Sequence, residues 1–314
     1  MANETVYKVL ASFEGKLPNT AKAECRPEDL DGIRCPDTCY SRDGGNNCVE
    51  VEITGPRALF SDVTNSGSGE KCSYPIPTYE ALRRILGRVY QKPTFNWVID
   101  ELRVMNQVHL AIEGHNHTNT YGNYEKGNNH TLVGNLLLCN VRYQVRAHIE
   151  WNYNHVECAD DRCYCKHLSI FKRALEKGPR RSPCLGVSEL LAEVKPCKFG
   201  SGEGYYDNAG EQVYGFMYHS MTYCDEALLD DERGYVTKNF WSPIMVNGVL
   251  KFCRPQECPR RIRIAKGRVK AFEKVVCVPA DAEGKNVVYK RVVNNNNPEV
   301  QAIYDAMKRE GLPK

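Results

Sequence analysis

The alternation of polar and apolar residues between positions 48 and 195 constrains the fold more strongly than any other feature of this chain. Cys48 to Ile53 alternates as a half-buried strand does. Thr78 can cap a helix whose apolar residues share one side, and Pro93 ends that helix. Phe95 to Val104 has the pattern of a second strand. The first half of this region therefore predicts a strand, a helix and a strand.

The second half of the region repeats the pattern. Val141 to Trp151 alternates as a third strand, and Lys166 to Lys177 carries apolar residues at helical spacing. Ser188 to Lys195 is typical of a fourth strand. The resulting order predicts an α+β fold with the ferredoxin-like arrangement, which RNA-recognition domains also use. Between the second and third strands, residues 115 to 135 are rich in Gly, Asn, His and Thr and predict a long flexible loop.

The last third of the chain favours antiparallel β-structure. Val213 to Tyr218 and Lys285 to Val293 are strand-like, and Trp241 to Phe252 predicts a hairpin that turns at Asn247-Gly248. Pro298 to Arg309 has the apolar spacing of a terminal helix. The chain thus divides into four predicted regions: a cysteine-containing extension (1–48), a ferredoxin-like domain (49–200), a C-terminal antiparallel β subdomain (201–293) and a helical tail (294–314).

Composition excludes several classes of protein. Hydrophobic residues make up 42% of the chain and charged residues 26%, which is ordinary for a globular protein. No stretch approaches the roughly 18 apolar residues that a membrane span needs. The N-terminus lacks the basic and apolar regions of a signal peptide. We therefore expect a cytoplasmic protein that has no membrane partner.

The fifteen cysteines are scattered and odd in number, and no export signal precedes them. This favours reduced thiols over a disulfide framework. Four of them are the weak candidates for a zinc site: Cys25, Cys35, Cys39 and Cys48. Their spacing lacks the paired short hooks of common zinc modules, so we predict no metal and no cofactor. Cys253 and Cys258 are interpreted in the same way.

Basic residues are concentrated in three segments, although the net charge of the chain is only +3. The first is a run of Arg83, Arg84, Arg88 and Lys92. Lys166 to Arg181 carries six basic residues and one acidic residue, and Lys251 to Lys274 carries nine and two. Three such segments can converge into one groove for a phosphate backbone, or they can be three solvated faces. Charge alone leaves both interpretations open.

Several short segments, taken in their order along the chain, resemble one protein family. They are Gly55-Pro-Arg-Ala-Leu-Phe60, Ser73-Tyr-Pro-Ile-Pro-Thr-Tyr-Glu-Ala-Leu82, Val89-Tyr-Gln-Lys-Pro93, Trp97-Val-Ile-Asp100, Cys165-Lys-His-Leu168, Arg180-Arg181, Leu185-Gly186, Pro196-Cys-Lys-Phe-Gly200 and Asn247-Gly248. The set resembles the Cas5 family of CRISPR-associated proteins in its subtype I-C (Dvulg) form, over roughly residues 49 to 265. Each segment is weak by itself, but the ordered set is specific.

The resemblance implies a metal-independent endoribonuclease of the RAMP class. Such a protein cuts CRISPR precursor RNA and stays on the 5′ handle of the mature guide RNA. Its implied protein partners are the backbone and large subunits of the Cascade surveillance complex. In other subtypes the Cas5 protein is a non-catalytic cap, so a catalytically silent RNA-binding subunit is the alternative. Binding of double-stranded DNA through the basic C-terminal segment is a further hypothesis that is compatible with both.

The resemblance also implies a catalytic set of Tyr90, Lys166 and His167. Attack of the RNA 2′-hydroxyl on the adjacent phosphate gives a 2′,3′-cyclic phosphate and needs a base, a cation and an acid. His167 suits either the acid or the base, because histidine titrates near neutral pH. Lys166 would stabilise the developing charge. Tyr90, with an ordinary pKa of about 10, would orient the hydroxyl or act as base.

The candidate RNA-binding residues share a positive charge and flank these catalytic candidates in the sequence. They are Arg83, Arg84, Arg88, Lys92, Lys172, Arg173, Arg180 and Arg181. Lys166 and His167 open the second helix, whose N-terminus favours phosphate. The nuclease hypothesis requires that Tyr90, from the end of the first helix, lies close to them in space.

Overall fold

The structure is a computed structural model, and it describes residues 48–63, 70–118, 130–155, 158, 161–229, 232–268, 273–279 and 287–293. These residues hold two α-helices and thirteen strands. In chain order they are β1 (Cys48–Ala58), α1 (Tyr79–Val89), β2 (Phe95–Val104), β3 (Leu110–Thr118), β4 (His130–Trp151), α2 (Tyr164–Lys177), β5 (Glu193–Pro196), β6 (Glu211–Val213), β7 (Met217–Thr222), β8 (Tyr235–Trp241), β9 (Ile244–Val246), β10 (Val249–Lys251), β11 (Arg260–Lys266), β12 (Glu273–Pro279) and β13 (Val287–Val293).

The largest sheet has eight strands in the order β5-β1-β4-β2-β10-β9-β6, with β3 paired to β4 outside this path. Its neighbouring strands are antiparallel. The fold is therefore α+β and mostly antiparallel, as predicted. Strands β11, β8 and β7 form a second sheet, and β12 pairs with β13. The strands β6, β9 and β10 of the predicted C-terminal subdomain thus extend the main sheet.

Both helices pack on the sheets and contact each other. The apolar side of α1 buries Leu82, Ile85, Leu86 and Val89, and the buried residues of β1 alternate along the strand. Trp97 of β2 contacts Phe171 of α2, with ring centroids 4.8 Å apart. Burial of these side chains supplies the hydrophobic driving force that holds the helices against the sheet.

Local signals at helix ends and turns are confirmed. The Thr78 hydroxyl accepts a hydrogen bond from the N–H of Ala81 at 3.2 Å, as an N-cap does. Asn247 and Gly248 have positive φ angles of 48° and 76°, which the tight turn of a two-residue hairpin requires. Gly178, with φ 110°, ends α2 at the predicted position.

Some of the expected boundaries are wrong. Strands β3 and β4 pair from Leu110↔Leu138 out to Thr118↔His130, so the expected loop is strand at 115–118 and 130–135. The paired parts of β3 and β4 form a two-stranded ribbon, the β3–β4 arm. Even the apolar residue Ile112 is 78% exposed in it, so the arm lacks the alternation of buried and exposed residues that marks a half-buried strand.

Two further segments differ from their predicted strands. The fourth strand begins at Glu193 and not at Ser188, because residues 187–190 form a turn closed by the bond from Leu190 N–H to the Val187 carbonyl. The segment Val213 to Tyr218 divides between β6 and β7, which belong to different sheets.

Several expectations lie outside the described residues. These are the terminal helix (Pro298 to Arg309) and three of the four N-terminal cysteines (Cys25, Cys35 and Cys39). Within the part of the chain that the structure describes, neither helix combines the length and apolar character needed to cross a membrane.

Candidate active site

Tyr90 lies beside His167. The phenol Oη of Tyr90 is 2.8 Å from Nδ1 of His167, although 77 positions separate the two residues. Tyr90 directly follows α1, has an extended backbone, and donates its N–H to the carbonyl of Leu86. Trp97 of β2 fixes the carbonyl of Tyr90 by donating a hydrogen bond from Nε1 at 2.9 Å. The packing of α1 on β2 therefore aims the phenol at the start of α2.

The imidazole of His167 is fully buried, with 0% of the residue exposed. The rings of Phe95 and Trp151 pack around it, with centroids 5.0 and 5.8 Å away. Its Nε2 is 2.7 Å from the backbone carbonyl of Asp161. A carbonyl only accepts hydrogen bonds, so Nε2 carries the proton and Nδ1 of the neutral ring accepts from Tyr90. The phenol is thus the donor in this pair.

Asp161 is a site residue that sequence reasoning missed. Its carboxylate accepts hydrogen bonds from Lys166 Nζ at 2.6 Å and from the Thr94 hydroxyl at 2.9 Å. Its Oδ2 is also 3.6 Å from Nε2 of His167. Asp161 therefore contacts two of the three predicted catalytic residues. The available signal was an acidic residue five positions before Lys166, just ahead of the second predicted helix, which in the structure begins at Tyr164.

The protonation states follow from burial and from these contacts. Burial alone would raise the pKa of Asp161, but the hydrogen bonds from Lys166 and Thr94 hold it below its ordinary value. Burial lowers the pKa of His167, and Asp161 only partly opposes this effect. Burial, with the charge of Asp161, raises the pKa of Tyr90. At neutral pH the site therefore combines a carboxylate, a neutral imidazole and a protonated phenol.

A groove of about 780 Å³ runs along α1, and Tyr90 lies in its wall. Five of the predicted RNA-binding residues line the same groove: Arg83, Arg84, Arg88, Arg180 and Arg181. Lys92, Lys172 and Arg173 are exposed but are not among the lining residues. Since 7% of Tyr90 is exposed and none of His167, Tyr90 is the member of the pair that a molecule in the groove can touch.

Arg83, also predicted to bind RNA, lies in the groove wall but is mostly buried and ion-paired. Its guanidinium is 2.6 Å from Glu226 and 3.0 Å from Glu80, and only 13% of its side chain is exposed. Burial opposes the charged form, but the two carboxylates raise the pKa of Arg83 further. Its charge is therefore already neutralised within the protein. Arg84 also pairs with Glu80, at 2.7 Å, but its side chain is 59% exposed, so Arg84 is the better placed of the two to attract a phosphate.

Cys48 is the described member of the four weak zinc candidates. It is half-buried at the start of β1 and has a free thiol. Burial, followed by the nearby carboxylates of Asp100 and Glu50, raises the pKa of Cys48 to about 11. The thiol form is therefore favoured at this position.

Comparisons with known proteins converge on one family. A family model described as "CRISPR-associated protein (Cas_Cas5)", of the Cas5d type, matches residues 48–253. A relative from Mannheimia succiniciproducens, named "CRISPR pre-crRNA endoribonuclease Cas5d", is 27% identical over 164 residues, which are 46% of this chain and 71% of the relative.

Two solved structures are also similar. One, titled "Crystal Structure of CRISPR-associated Protein", is 28% identical with a TM-score of 0.55. The other is the functionally uncharacterized protein SMU1763c from Streptococcus mutans, which is 30% identical with a TM-score of 0.54. Each match covers 68% of this chain and 96% of the solved chain.

Proposed function

The chain belongs to the Cas5 family of CRISPR-associated proteins, of the Cas5d type, and from this premise we propose that it is an endoribonuclease that cuts CRISPR precursor RNA into guide RNA. The observation that carries the proposal is the 2.8 Å contact between Tyr90 and His167 at the wall of an arginine-lined groove. The name of the Mannheimia relative supports the same activity.

The proposed reaction uses the RNA's own 2′-hydroxyl as nucleophile. The hydroxyl gives its proton to Tyr90 as the phenol passes its own proton to Nδ1 of His167. The 2′-oxygen then bonds to phosphorus, the bond from phosphorus to the 5′-oxygen breaks, and a 2′,3′-cyclic phosphate forms. The leaving 5′-oxygen takes a proton, which the same pair can return in the reverse direction. His167 therefore acts as base or acid only through Tyr90.

Lys166 completes the proposed site. Its side chain is 44% exposed and its ammonium is held by Asp161 at 2.6 Å. A fixed positive charge beside the reacting phosphate stabilises the negative charge that builds up in the transition state. With a phenol and imidazole to move protons and an ammonium to stabilise charge, the proposed reaction needs no metal ion.

The fold and the partners form the second part of the proposal. The order β5-β1-β4-β2 with its two helices supports a ferredoxin-like domain of the RAMP class. The groove arginines would hold the phosphates of the 5′ handle after cleavage, so that the protein stays on the guide RNA. It would then join the backbone and large subunits of Cascade.

The first experiment separates cleavage from binding. Purified protein is mixed with repeat RNA in EDTA, and both cleavage and filter binding are measured. We expect Tyr90→Phe and His167→Ala to bind RNA but lose at least about tenfold in cleavage rate, as loss of a proton-transfer group predicts. Exposed Tyr205 and His109 provide matched controls (Tyr205→Phe and His109→Ala) that should cleave normally.

A second substrate tests the nucleophile. Repeat RNA that carries a single 2′-deoxynucleotide at the cut position should bind with unchanged affinity and resist cleavage. Cleavage of that substrate, or wild-type activity in His167→Ala, contradicts the mechanism. Binding with no cleavage by the wild-type protein would instead support the catalytically silent cap.

Double-stranded DNA is the remaining proposed partner, and β11 is its most suitable surface. The strand carries Arg260, Arg261, Arg263 and Lys266. Arg261 is engaged by Glu232, whereas Arg260 and Lys266 are exposed. Filter binding of duplex DNA by a variant in which Arg260 and Lys266 are replaced by Ala tests β11, and a chain truncated from residue 266 tests the residues that follow it. Unchanged affinity in both proteins would exclude the C-terminal segment as the site.

A further inference from the structure

A cluster of one histidine and two cysteines lies between the two larger sheets. His219 is on β7, Cys253 follows β10, and Cys258 ends the short 3₁₀ helix Pro255–Glu257. One ring nitrogen and the two sulfur atoms all lie within 4.8 Å of one another. The three residues are 34 and 5 positions apart in the sequence, so the fold brings the ligands together.

The distance between the two sulfur atoms identifies the kind of site. Sγ of Cys253 is 3.8 Å from Sγ of Cys258. Two thiolates bound at about 2.3 Å to one tetrahedral zinc ion lie about 3.8 Å apart. A disulfide would require a separation of about 2.05 Å. The observed spacing thus matches the edge of a zinc tetrahedron, and both thiols are free.

His219 provides an independent observation. The residue is 0% exposed, and its Nε2 has no hydrogen-bond partner among the described residues. Nδ1 is already 2.8 Å from the hydroxyl of Ser220, which also accepts a hydrogen bond from Asn239. Burial of an unsatisfied ring nitrogen is costly. A metal bound at Nε2 removes that cost, and the Nδ1–Ser220 bond orients the ring as the outer contacts of zinc-bound histidines do.

The surroundings hold the three ligands in place. The ring of Tyr79 stacks on His219 with centroids 4.6 Å apart, and Trp241 meets its edge at 5.0 Å. The loop that carries the cysteines is closed by a hydrogen bond from the Arg254 N–H to the Glu257 carboxylate at 2.8 Å. The ligands therefore need little rearrangement to receive an ion.

We propose that His219, Cys253 and Cys258 form a zinc site in which Nε2 and the two thiolates are three of the four ligands and water is the fourth. Borderline-soft zinc suits this mixture of imidazole and thiolate. The ion would fasten the loop after β10 to β7 and to the first turn of α1, where Tyr79 lies. Tyr90 follows the other end of this eleven-residue helix, about 16 Å away at 1.5 Å per residue. The proposed zinc is therefore structural and does not take part in RNA cleavage.

The test uses the full chain, purified without a histidine tag or chelator and analysed by elemental mass spectrometry. We expect one zinc per chain in the wild type and in Cys197→Ser, and loss of that zinc in Cys253→Ser and Cys258→Ser. Cobalt in place of zinc should give the thiolate-to-metal absorption of a tetrahedral site. Zinc that persists in both variants but is lost on substitution of Cys25, Cys35 and Cys39 overturns the proposal.

A second measurement uses the wild-type protein and does not depend on the folding of a variant. Cys253 and Cys258 should resist alkylation until a strong chelator is added, whereas half-buried Cys197 reacts at the same rate with or without it. Removal of zinc should lower the melting temperature by several degrees and leave cleavage by the remaining folded protein intact. A disulfide between Cys253 and Cys258, or wild-type protein that binds neither zinc nor cobalt, refutes the site.

Discussion

Replacement of Asp161 by Asn tests whether the buried carboxylate positions the catalytic groups. The substitution keeps the shape of the side chain and its bond with Thr94 but removes the charge that holds Lys166. The backbone carbonyl that contacts His167 remains. The variant therefore isolates the electrostatic contribution of Asp161, which the sequence did not predict.

The expected loss of cleavage rate in Asp161→Asn follows from the contacts of the Asp161 carboxylate. A hydrogen bond to a charged group contributes roughly 1.5–3 kcal/mol, and 32% exposure of the Asp161 side chain places this one toward the lower end. A loss of roughly 1.5–2 kcal/mol in the transition state corresponds to a cleavage rate lower by roughly 10- to 30-fold. Binding of repeat RNA should not weaken, because loss of the Asp161 carboxylate removes a charge that repels phosphate.

The pH dependence gives a more specific readout. Asp161 opposes the lowering of the pKa of His167 by burial. Loss of its charge lowers that pKa further, so the imidazole stays neutral at lower pH than in the wild type. If the neutral ring is the base, the acidic limb of the pH–rate profile moves to lower pH. A purely structural role for Asp161 would not move that limb.

The assay is single-turnover cleavage of repeat RNA across pH, with Asp207→Asn as control. Like Asp161, Asp207 pairs with a basic side chain, that of Arg103 at 2.7 Å, but it has no contact with the catalytic groups among the described residues. Asp161→Asn and Lys166→Met should be strongly non-additive, because one acts through the other. Wild-type cleavage by a folded Asp161→Asn protein, or additive effects in the double variant, would refute the reasoning.

Three further outcomes are expected. Substitution of Arg180 and Arg181 by Ala should weaken RNA binding and reduce the slope of log affinity against log salt by about 0.7 for each lost phosphate contact; an unchanged slope argues against this groove. Burial opposes the charged form of His148, but its two carboxylate partners raise its pKa to about 9, so its stabilisation is complete below about pH 6.5 and lost as the pH rises through about 9. Urea unfolding should show this loss, on the order of 2 kcal/mol once the roughly 3 kcal/mol of the shift is reduced for solvent screening of the partly exposed carboxylates, in the wild type and not in His148→Gln. Gly186→Ala should lower the free energy of unfolding by at least about 2 kcal/mol, because Gly186 has φ 97° and an added Cβ would lie 1.8 Å from the Leu59 carbonyl oxygen; equal urea midpoints for variant and wild type would contradict this.

Features set by neighbouring residues were predictable from the sequence. The cap at Thr78 and the turn at Asn247-Gly248 depend on local backbone chemistry, and both are confirmed. Apart from β3, the order of strands and helices from 48 to 196 followed from hydrophobic periodicity. The β3–β4 arm was missed because exposed apolar residues such as Ile112 and Leu132 interrupt the alternation of buried and exposed positions.

The candidate active site combines residues that are far apart in the sequence. Hydrophobic periodicity and charge runs could not predict which of them would meet. Family resemblance singled out Tyr90 and His167, but no spacing could show that they touch. Asp161 lies in the short connection between β4 and α2, where no periodic pattern marks it. The paired state of Arg83 depends on Glu226, 143 positions away, and charge runs cannot reveal such partners.

The complete burial of His167 has a consequence for its chemical reactivity. Electrophiles that acylate histidines must reach a ring nitrogen, and in this protein Nε2 meets a backbone carbonyl while Nδ1 meets a phenol. Such a reagent should therefore modify exposed His109 quickly and spare His167. Truncation of Tyr90 to Ala would expose the imidazole of His167 to the reagent. The rate of acylation at His167 therefore reports whether the Tyr90 phenol covers Nδ1.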